Sequence, residues 1–437
     1  MKPAAHQARR HFLRMLAASP IFATNTFFAT RLKSLLAADQ LTEATFGGWF
    51  GNFQQNADVI SSPDQAFDVL DFEPAARKAL PPAHFGYLAT GVDDDATVRA
   101  NREGYSRIQI RSRRLVDVGK IDTSVRLLQA TWSSPIVICP MGGEKAFHPE
   151  GDIAVARAAR GKDHLQMLST GATSSIEDVI AARGAPVWQQ LYPTNIWEVG
   201  RAIVKRAQAA GSPAIVFTVD LQESSNFETL FRARQADTRE CSNCHKAAFP
   251  GFARGRAGAA PGGFSEYVAR KPMFDGLDLS KVTSFLPRPM DWDFVKRLRD
   301  AVTVKLFLKG IVTREDAQLA AEHGVDGLVV SNHAGREETL RPTIESLPEV
   351  LAGVTGKIPV IVDGGIRRGT DIFKALAMGA TAVGIGRPVA WGLAAFGQPG
   401  VEAVLEILRR ELQAIMRQAG TPSVDKITRS YVVTRPS

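Results

Sequence analysis

The 437-residue sequence predicts an α/β fold, a (β/α)8 TIM barrel with an N-terminal helical extension and a long loop after the fourth strand. Eight short apolar runs alternate with amphipathic helical patterns, as expected of parallel strands joined by helices. Polar residues follow the runs at their carboxyl ends, where barrel enzymes place their active sites. A doubly wound open sheet is the alternative, but its phosphate loop would follow the first strand, and none is present there.

The predicted strands are short and rich in Val, Ile and Leu, which is typical of a buried parallel sheet. They cover residues 135–139, 165–170, 187–192, 214–220, 305–310, 328–333, 360–365 and 382–387. Helical patterns lie between them, including residues 153–159, 196–209, 314–321 and 371–377.

The domain organisation that we predict has three parts. Residues 1–38 resemble an export signal, residues 39–100 form a helical segment, and residues 101–437 form the barrel. The connection from 221 to 304, between the fourth and fifth strands, is far longer than the others. Its middle is rich in Gly, Ala, Pro and Arg, which is typical of a surface loop over an active site.

Charge and composition exclude some classes of function. The chain is 45% hydrophobic and 22% charged, as is usual for a globular enzyme. Its net charge is +8, but six of the cations precede the first acid, Asp39, and removing them leaves +2. Because no basic stripe is interleaved with aromatic residues, we do not expect nucleic-acid binding.

The N-terminus suggests export. Arg9 and Arg10 are followed by Phe12-Leu13 and a short apolar stretch, a pattern that resembles a twin-arginine signal. The alternative is a basic helix on a disordered tail. The apolar stretch is too short, and too broken by Pro20, to span a membrane. We therefore expect a periplasmic protein, carried folded by the twin-arginine route.

Two neighbouring strand ends predict a phosphate site. Asp363, Gly365 and Arg367 follow the seventh strand, and Gly386 and Arg387 follow the eighth. Glycines let the backbone approach an anion, and arginine forms bidentate bonds to it. Barrels often bind phosphate at these two loops.

Other strand ends carry groups for proton transfer and anion binding. His333, with Arg336 three residues later and Asp220 on an earlier strand end, predicts a base that a carboxylate orients. The alternative is a buried structural histidine. Lys309 is either a structural ion pair or a fixed cation that stabilises a reduced, electron-accepting ring. Tyr192 also ends a strand.

These motifs, in this order from about Phe67 to the C-terminus, resemble the FMN-dependent L-2-hydroxy acid oxidase and dehydrogenase family, which includes glycolate oxidase, lactate oxidase and mandelate dehydrogenase. The resemblance implies that His333 takes a substrate proton and that Asp220 steadies the imidazolium. It also implies that Arg336 and Tyr87 hold the substrate carboxylate, and that Tyr192 bonds the substrate hydroxyl or the developing carbonyl. The implied flavin contacts are Ser169, Gln190, Thr218, Lys309, Ser331, Asp363, Gly365, Arg367, Gly386 and Arg387.

Three positions depart from the family pattern. The second arginine that usually follows the fourth-strand Asp is missing, since none occurs between Asp220 and Arg232. Gly142 replaces an alanine, and in the family glycine there accompanies poor oxygen reactivity. Gly171 replaces an aromatic residue, which would open the pocket. The resemblance therefore implies a dehydrogenase more than an oxidase, and a substrate that is larger or held differently.

The sequence Cys241-Ser242-Asn243-Cys244-His245 in the long loop is the pattern for covalent c-type haem attachment. A haem on Cys241 and Cys244, with His245 as ligand, would accept electrons from a reduced flavin. A local disulfide and a metal site are the alternatives.

The resulting expectation is an FMN oxidoreductase that converts an L-2-hydroxy acid to its 2-keto acid. The alternative is a flavin enzyme of this fold acting on a larger or non-hydroxy-acid substrate, or an electron relay through haem. The expected partners are a small anionic substrate and a cytochrome or quinone acceptor. The family resemblance implies a tetramer.

Overall fold

The computed structural model describes residues 59–221, 225–239 and 263–434, and the described residues from Ile60 onward form one compact unit. The predicted export signal, residues 39–58 of the helical segment, and Cys241, Cys244 and His245 lie outside the described residues. Export, periplasmic location and haem attachment therefore stay predictions. Within the described ranges, no helix combines the length and apolarity that crossing a bilayer requires.

A closed barrel of eight parallel strands confirms the predicted fold. The strands of the described residues are β1 (Ile108–Ile110), β2 (Val125–Leu127), β3 (Ala130–Trp132), β4 (Ile136–Ile138), β5 (Leu165–Leu168), β6 (Trp188–Leu191), β7 (Ala214–Thr218), β8 (Lys305–Lys309), β9 (Gly327–Val330), β10 (Val360–Val362), β11 (Ala382–Ile385) and β12 (Val432–Thr434). Strands β4 to β11 form the barrel in chain order, and β11 pairs with β4 to close it.

The barrel strands are apolar because both of their faces are covered. All residues of β4, β7 and β9 are buried, and such continuous burial favours the near-continuous apolar runs seen in the sequence. Strands β5 and β6 are equally buried but carry Gln166, Gln189 and Gln190. The register aligns the strand ends, since Thr218 lies opposite Lys309 on β8. The polar residues that follow the strands therefore meet at one mouth of the barrel.

Helices surround this barrel and precede it. They are α1 (Phe72–Ala79), α2 (Pro82–Ala89), α3 (Ala96–Gly104), α4 (Gly151–Gly161), α5 (Ile176–Arg183), α6 (Trp197–Ala209), α7 (Glu228–Ala236), α8 (Gly263–Ala269), α9 (Trp292–Ala301), α10 (Arg314–Glu322), α11 (Thr343–Val354), α12 (Gly369–Ala377) and α13 (Arg387–Ala419). Helices α1 to α3 lie in the predicted N-terminal helical extension and its continuation to Gly104. Helices α7, α8 and α9 belong to the long connection between β7 and β8.

The amino-terminal end of the barrel is filled by apolar side chains. Leu127, from an antiparallel hairpin of β2 and β3, belongs to the same buried cluster as Trp188 and Phe307. The Trp188 and Phe307 rings lie 4.7 Å apart. A Cβ at Gly327 would approach the Phe307 ring to 2.2 Å, so only glycine fits beneath it. This end of the barrel is a packed core.

Two further features differ from the predicted set of elements. Strand β1 pairs antiparallel with β12, more than three hundred residues later. Helix α13 continues well beyond the eighth barrel strand, and Gly397 interrupts it with non-helical backbone at φ 63°. Short strands and a kinked helix give weak periodic signals, which is why the sequence did not predict them.

Candidate active site

A hydrogen-bonded His–Asp pair lies at the carboxyl end of the barrel. His333 Nδ1 is 2.6 Å from Asp220 Oδ1. Burial raises the pKa of Asp220, but Lys309 and His333 outweigh it and leave that pKa lowered to about 2. Burial also lowers the pKa of His333, against the opposing effect of Asp220. With Asp220 ionised, Nδ1 donates the hydrogen bond, and Nε2 of the neutral ring is left to accept a proton.

The backbone holds His333 in an unusual conformation. His333, Ala334 and Gly335 all have positive φ, at 53°, 56° and 88°. Non-glycine residues adopt this region rarely, and it occurs often at functional sites. A Cβ at Gly335 would lie 2.7 Å from the Val98 backbone nitrogen, so the turn requires glycine there.

Asn101 on α3 supports this turn, and sequence reasoning missed it. Its side-chain amide donates to Asn332 Oδ1 at 2.8 Å, and its own Oδ1 accepts from Asn332 Nδ2 at 3.0 Å. Both asparagines are buried. No local pattern marks Asn101, because its partner lies 231 residues away in the sequence.

Lys309 is a buried cation between two carboxylates. Its Nζ lies 3.2 Å from Asp220 Oδ2 and 3.7 Å from Asp363 Oδ2, and it donates to Ser331 Oγ at 2.8 Å. Burial lowers the pKa of Lys309, but the two aspartates outweigh it and raise that pKa to about 12. Lys309 therefore remains charged. Ser331 is fully buried and contacts Lys309 and the His333 backbone.

Tyr192, Tyr87 and Arg336 line the cavity beside His333. The Tyr192 hydroxyl is 3.4 Å from His333 Nε2. Burial raises the pKa of Tyr192 well above its ordinary value, and Asp220 adds to this effect, so the phenol stays protonated. The Arg336 guanidinium lies 4.4 Å from the Tyr87 ring centroid and donates to the Tyr87 carbonyl at 2.5 Å.

Two partly buried arginines in the cavity, Arg367 and Arg387, have no carboxylate partner among the described residues. Arg387 donates to the carbonyls of Leu88, Ala334 and Thr90, and Arg367 lies 4.7 Å from the Trp391 ring. Burial, followed by neighbouring arginines, lowers the pKa of Arg387 to about 9 and that of Arg367 to about 10. Partly desolvated cations without a counter-ion favour binding of an external anion.

The other predicted flavin contacts form a row across adjacent strand ends. Ser169 donates to Gln190 Oε1 at 3.2 Å, and Gln190 Nε2 donates to Thr218 Oγ1 at 2.9 Å. Asp363 has a buried Oδ1 without a hydrogen-bond partner in the described part of the chain. The cavity lined by these groups has a volume of about 800 Å3.

Together these features fit a phosphate-bearing, flat cofactor. Arg367 and Arg387 supply charge for a phosphate, with Gly386 beside them on the cavity wall. The polar row and Lys309 supply donors for a ring system. Gly365 has a φ of 79°, and a Cβ there would lie 2.1 Å from the Asn101 carbonyl oxygen, so this position also requires glycine.

An anion site and a His–Asp pair lie together at the carboxyl end of this barrel. These two features are typical of cofactor-dependent barrel enzymes. Residues 76–434 match the model of the FMN-dependent dehydrogenase family, so the chain belongs to that family and is an FMN-dependent oxidoreductase.

Curated relatives and solved structures agree with this assignment. The chain is 41% identical over 372 residues to a peroxisomal (S)-2-hydroxy-acid oxidase of Oryza sativa subsp. japonica, covering 84% of this chain and 96% of that protein. It is 37% identical over 369 residues to glycolate oxidase 1 of Zea mays, covering 84% and 95%.

Among solved structures, a mutant mandelate oxidase with (S)-mandelic acid aligns with a TM-score of 0.72 and 35% identity, covering 85% of this chain and 99% of that one. A soluble mutant of the membrane-associated (S)-mandelate dehydrogenase from Pseudomonas putida aligns with a TM-score of 0.73 and 31% identity, covering 85% and 100%. The family match supports FMN and gives no support to the predicted haem.

Proposed function

We propose that the protein oxidises (S)-2-hydroxy acids to 2-keto acids, and that it is a dehydrogenase rather than an oxidase. The observation that carries the proposal is the His333–Asp220 hydrogen bond of 2.6 Å, with Nε2 in reach of Tyr192. The names of the relatives support the substrate class.

The residues of the chain have separate roles in this reaction. Arg336 binds the substrate carboxylate, with Tyr87 beside it. Tyr192, protonated because of its raised pKa, donates to the substrate oxygen. His333 Nε2 takes the hydroxyl proton, and Asp220 stabilises the imidazolium that forms. Bound FMN would supply the acceptor for the hydride equivalent, the α-hydrogen with two electrons, that the substrate α-carbon gives up.

The cofactor would be held by side chains at the carboxyl end of the barrel. Arg367 and Arg387 would bind its phosphate, and Ser169, Gln190 and Thr218 would bond its ring. Lys309 would hold a fixed positive charge beside the ring and so favour the reduced, anionic form. Its charge is secured by Asp220 and Asp363.

Anaerobic mixing tests this function. FMN-loaded protein is mixed with (S)-2-hydroxy acids, their (R) enantiomers and the matching amines, and loss of the oxidised flavin absorbance is followed. We expect reduction by (S)-2-hydroxy acids, slowed by about 10²–10⁴-fold in His333→Gln at unchanged FMN content. The proposal is wrong if no (S)-2-hydroxy acid reduces the flavin, or if His333→Gln reacts as fast as the parent.

The dehydrogenase assignment depends on Gly142. A Cβ there would lie 3.4 Å from the Gly171 carbonyl oxygen, an ordinary contact, so alanine fits without distortion. We expect the reduced parent enzyme to react slowly with oxygen and Gly142→Ala to react faster. Gly161→Ala, which adds the same methyl group where nothing lies within 4 Å, is the control. Rapid reoxidation of the parent by oxygen would instead identify an oxidase.

The electron acceptor and the assembly stay predictions. A cytochrome or quinone is the acceptor that a dehydrogenase of this kind requires. Cys241, Cys244 and His245 are not needed for the reaction proposed here, and haem is not part of the proposal.

A further inference from the structure

The cavity wall between β4 and α4 contains one residue that does not face the cavity. Residues 140–147, the wall segment, line the cavity at every position except Glu144. Glu144 is instead buried in the protein, at 3% exposure, while its neighbours Gly143 and Lys145 line the cavity. Its side chain is therefore placed to hold the wall segment against the protein interior.

Asp152 on α4 connects to the wall segment through Thr173. Asp152 is 1% exposed, and its Oδ2 accepts hydrogen bonds from the Thr173 backbone nitrogen at 2.8 Å and from Thr173 Oγ1 at 2.5 Å. Thr173 Oγ1 in turn accepts from the Lys145 backbone nitrogen at 3.2 Å. Thr173 also lines the cavity. Asp152 thus supports two parts of the cavity wall, the wall segment and the connection between β5 and α5.

Glu144 and Asp152 are hydrogen-bonded to each other, and this bond requires a proton. An ionised carboxylate only accepts hydrogen bonds, so one member of a bonded carboxyl pair must be protonated. Glu144 Oε2 is buried and receives no hydrogen bond from the described residues. A charged oxygen in that position would be costly, whereas a protonated carboxyl is neutral and can donate to Asp152.

The surrounding groups favour the protonated pair. Burial raises the pKa of Glu144 well above its ordinary value, and Asp152 raises it further. Burial also raises the pKa of Asp152, while the hydrogen bonds from Thr173 and the charge of Lys271 oppose that increase. Lys271 belongs to the connection between β7 and β8, and burial lowers its own pKa. Because the opposing effects act on Asp152, the proton belongs to Glu144, and Asp152 is the acceptor.

Other titratable groups contact the wall segment near its C-terminal end. On α2, His84 Nδ1 lies 2.6 Å from the Ala146 carbonyl oxygen. His148, just after the wall segment, accepts through Nδ1 from the Glu150 backbone nitrogen at 3.3 Å. The charge that acts on Glu144 is that of Asp152, so replacing Glu144 alone separates the acid pair from these histidines.

We propose that Glu144 and Asp152 share one proton that fixes the wall segment, and that loss of this proton at alkaline pH displaces the wall segment and weakens FMN binding. Two buried carboxylates without a proton between them repel each other. The folded protein keeps a proton that the unfolded chain releases at lower pH, so stability falls as the pH rises toward the raised pKa of Glu144. The pair acts on cofactor binding, independently of which substrate the protein oxidises.

FMN binding and stability, measured from neutral to alkaline pH, test this role. FMN is titrated with FMN-free protein, and the change in flavin fluorescence gives a Kd at each pH. The unfolding temperature of the FMN-free protein is measured in parallel. We expect the Kd of the parent to rise roughly tenfold or more as the proton is lost. In Glu144→Gln the amide donates to Asp152 and cannot titrate, so the Kd and the unfolding temperature should change far less with pH. Ionisation of free FMN affects the parent and the variant equally.

Two further variants make the result specific. Glu150→Gln removes an exposed carboxylate that pairs with Arg157 at 2.5 Å, and it should keep the parental loss of FMN at alkaline pH. Asp152→Asn keeps an acceptor for Thr173 and donates an amide N–H to an ionised Glu144, so it should also reduce the pH dependence. Asp152→Asn tests the pair through its second member if Glu144→Gln does not fold.

The possible outcomes are distinct from those that bear on the proposed function. A parent whose FMN affinity and stability stay constant from neutral to alkaline pH overturns the role of the acid pair. A Glu144→Gln variant that loses FMN over the same pH range as the parent also overturns it, as does a Glu150→Gln variant that no longer loses FMN. None of these measurements requires flavin reduction by a substrate, so each result leaves the proposed function unaffected.

Discussion

The two ends of the barrel differ in whether their charged side chains are paired with groups of opposite charge. At the amino-terminal end, Asp326 pairs with both Arg299, at 2.6 Å, and Lys305, at 2.8 Å. At the carboxyl-terminal end, Arg367 and Arg387 are partly buried without a carboxylate partner in the described part of the chain. Charge that is compensated inside the protein contributes to the fold, whereas buried charge left uncompensated indicates a ligand.

Strand β8 connects the two ends of the barrel within five residues. Lys305 at its start is solvent-exposed and paired with Asp326, Phe307 in its middle is fully buried in the barrel core, and Lys309 at its end is held by Asp220 and Asp363. Alternate residues of a strand point to the same face, so all three share one side of β8. One strand therefore supplies a surface ion pair, core packing and an active-site cation.

Replacing an aspartate by asparagine should have different effects at the two ends of the barrel. The largest effect on activity is expected at the active site. Asp220→Asn removes the negative charge beside His333, and we expect kcat/KM to fall by about 10²–10⁴-fold because the imidazolium is no longer stabilised. Since Asp220 raises the pKa of His333, the acid limb of the pH profile should also move to lower pH. Stopped-flow flavin reduction measured across pH tests both effects.

Asp326→Asn is the matched control at the other end. It removes a carboxylate that pairs with Arg299 and Lys305, far from the reacting groups, and should lower thermal stability without changing the rate of flavin reduction. If Asp220→Asn kept the rate of the parent, or if Asp326→Asn lost as much activity, the distinction between the two ends would not hold.

A substitution in the barrel core should instead lower the stability of the protein and leave the reaction largely unchanged. Phe307→Ala removes a fully buried ring packed on Trp188 and Gly327, and we expect a loss of about 3–5 kcal/mol in the free energy of unfolding. The control is Phe67→Ala, because Phe67 is 92% exposed and should change stability by less than about 0.5 kcal/mol.

Urea unfolding at a fixed, saturating FMN concentration measures this difference, since bound ligand itself stabilises the folded state. The folded fraction of Phe307→Ala should still reduce its flavin at close to the parental rate. A stable Phe307→Ala protein with an impaired reaction would mean that the core and the site are coupled more closely than the two-end comparison allows.

The sequence was most informative where function follows directly from a strand. His333, Lys309 and Asp220 each come just after or at the end of an apolar run, and the parallel topology brings such positions together whatever their separation in sequence. The barrel and the grouping of these side chains could be predicted for that reason. These three residues bond to one another or to other strand-end residues, because the ends of all the parallel strands meet at one mouth of the barrel.

Residues that reach the site from outside the barrel strands could not be predicted in this way. Asn101 supports the His333 turn from α3, and Arg234 enters the cavity because Gly86 allows α2 and α7 to approach. Neither position has a local signature, since each depends on a contact between distant segments. The long connection after β7 also gave no periodic signal that would place α7 against α2.

The smallest expected effect concerns Arg336, which lines the same cavity as His333. Its guanidinium both stacks on the Tyr87 ring and donates to the Tyr87 carbonyl, and in the proposed function its remaining N–H groups bind the substrate carboxylate. Lysine keeps the charge but has neither the planar stacking nor the bidentate geometry. We therefore expect Arg336→Lys to cost about 1–3 kcal/mol of substrate binding, observed mainly as a higher KM.

Arg232→Lys, on the exposed face of α7, is the control for the change in side chain and should have no effect. A higher KM in Arg336→Lys with little change in kcat would show that Arg336 binds substrate equally in the ground and transition states. An unchanged KM would remove Arg336 from the carboxylate site.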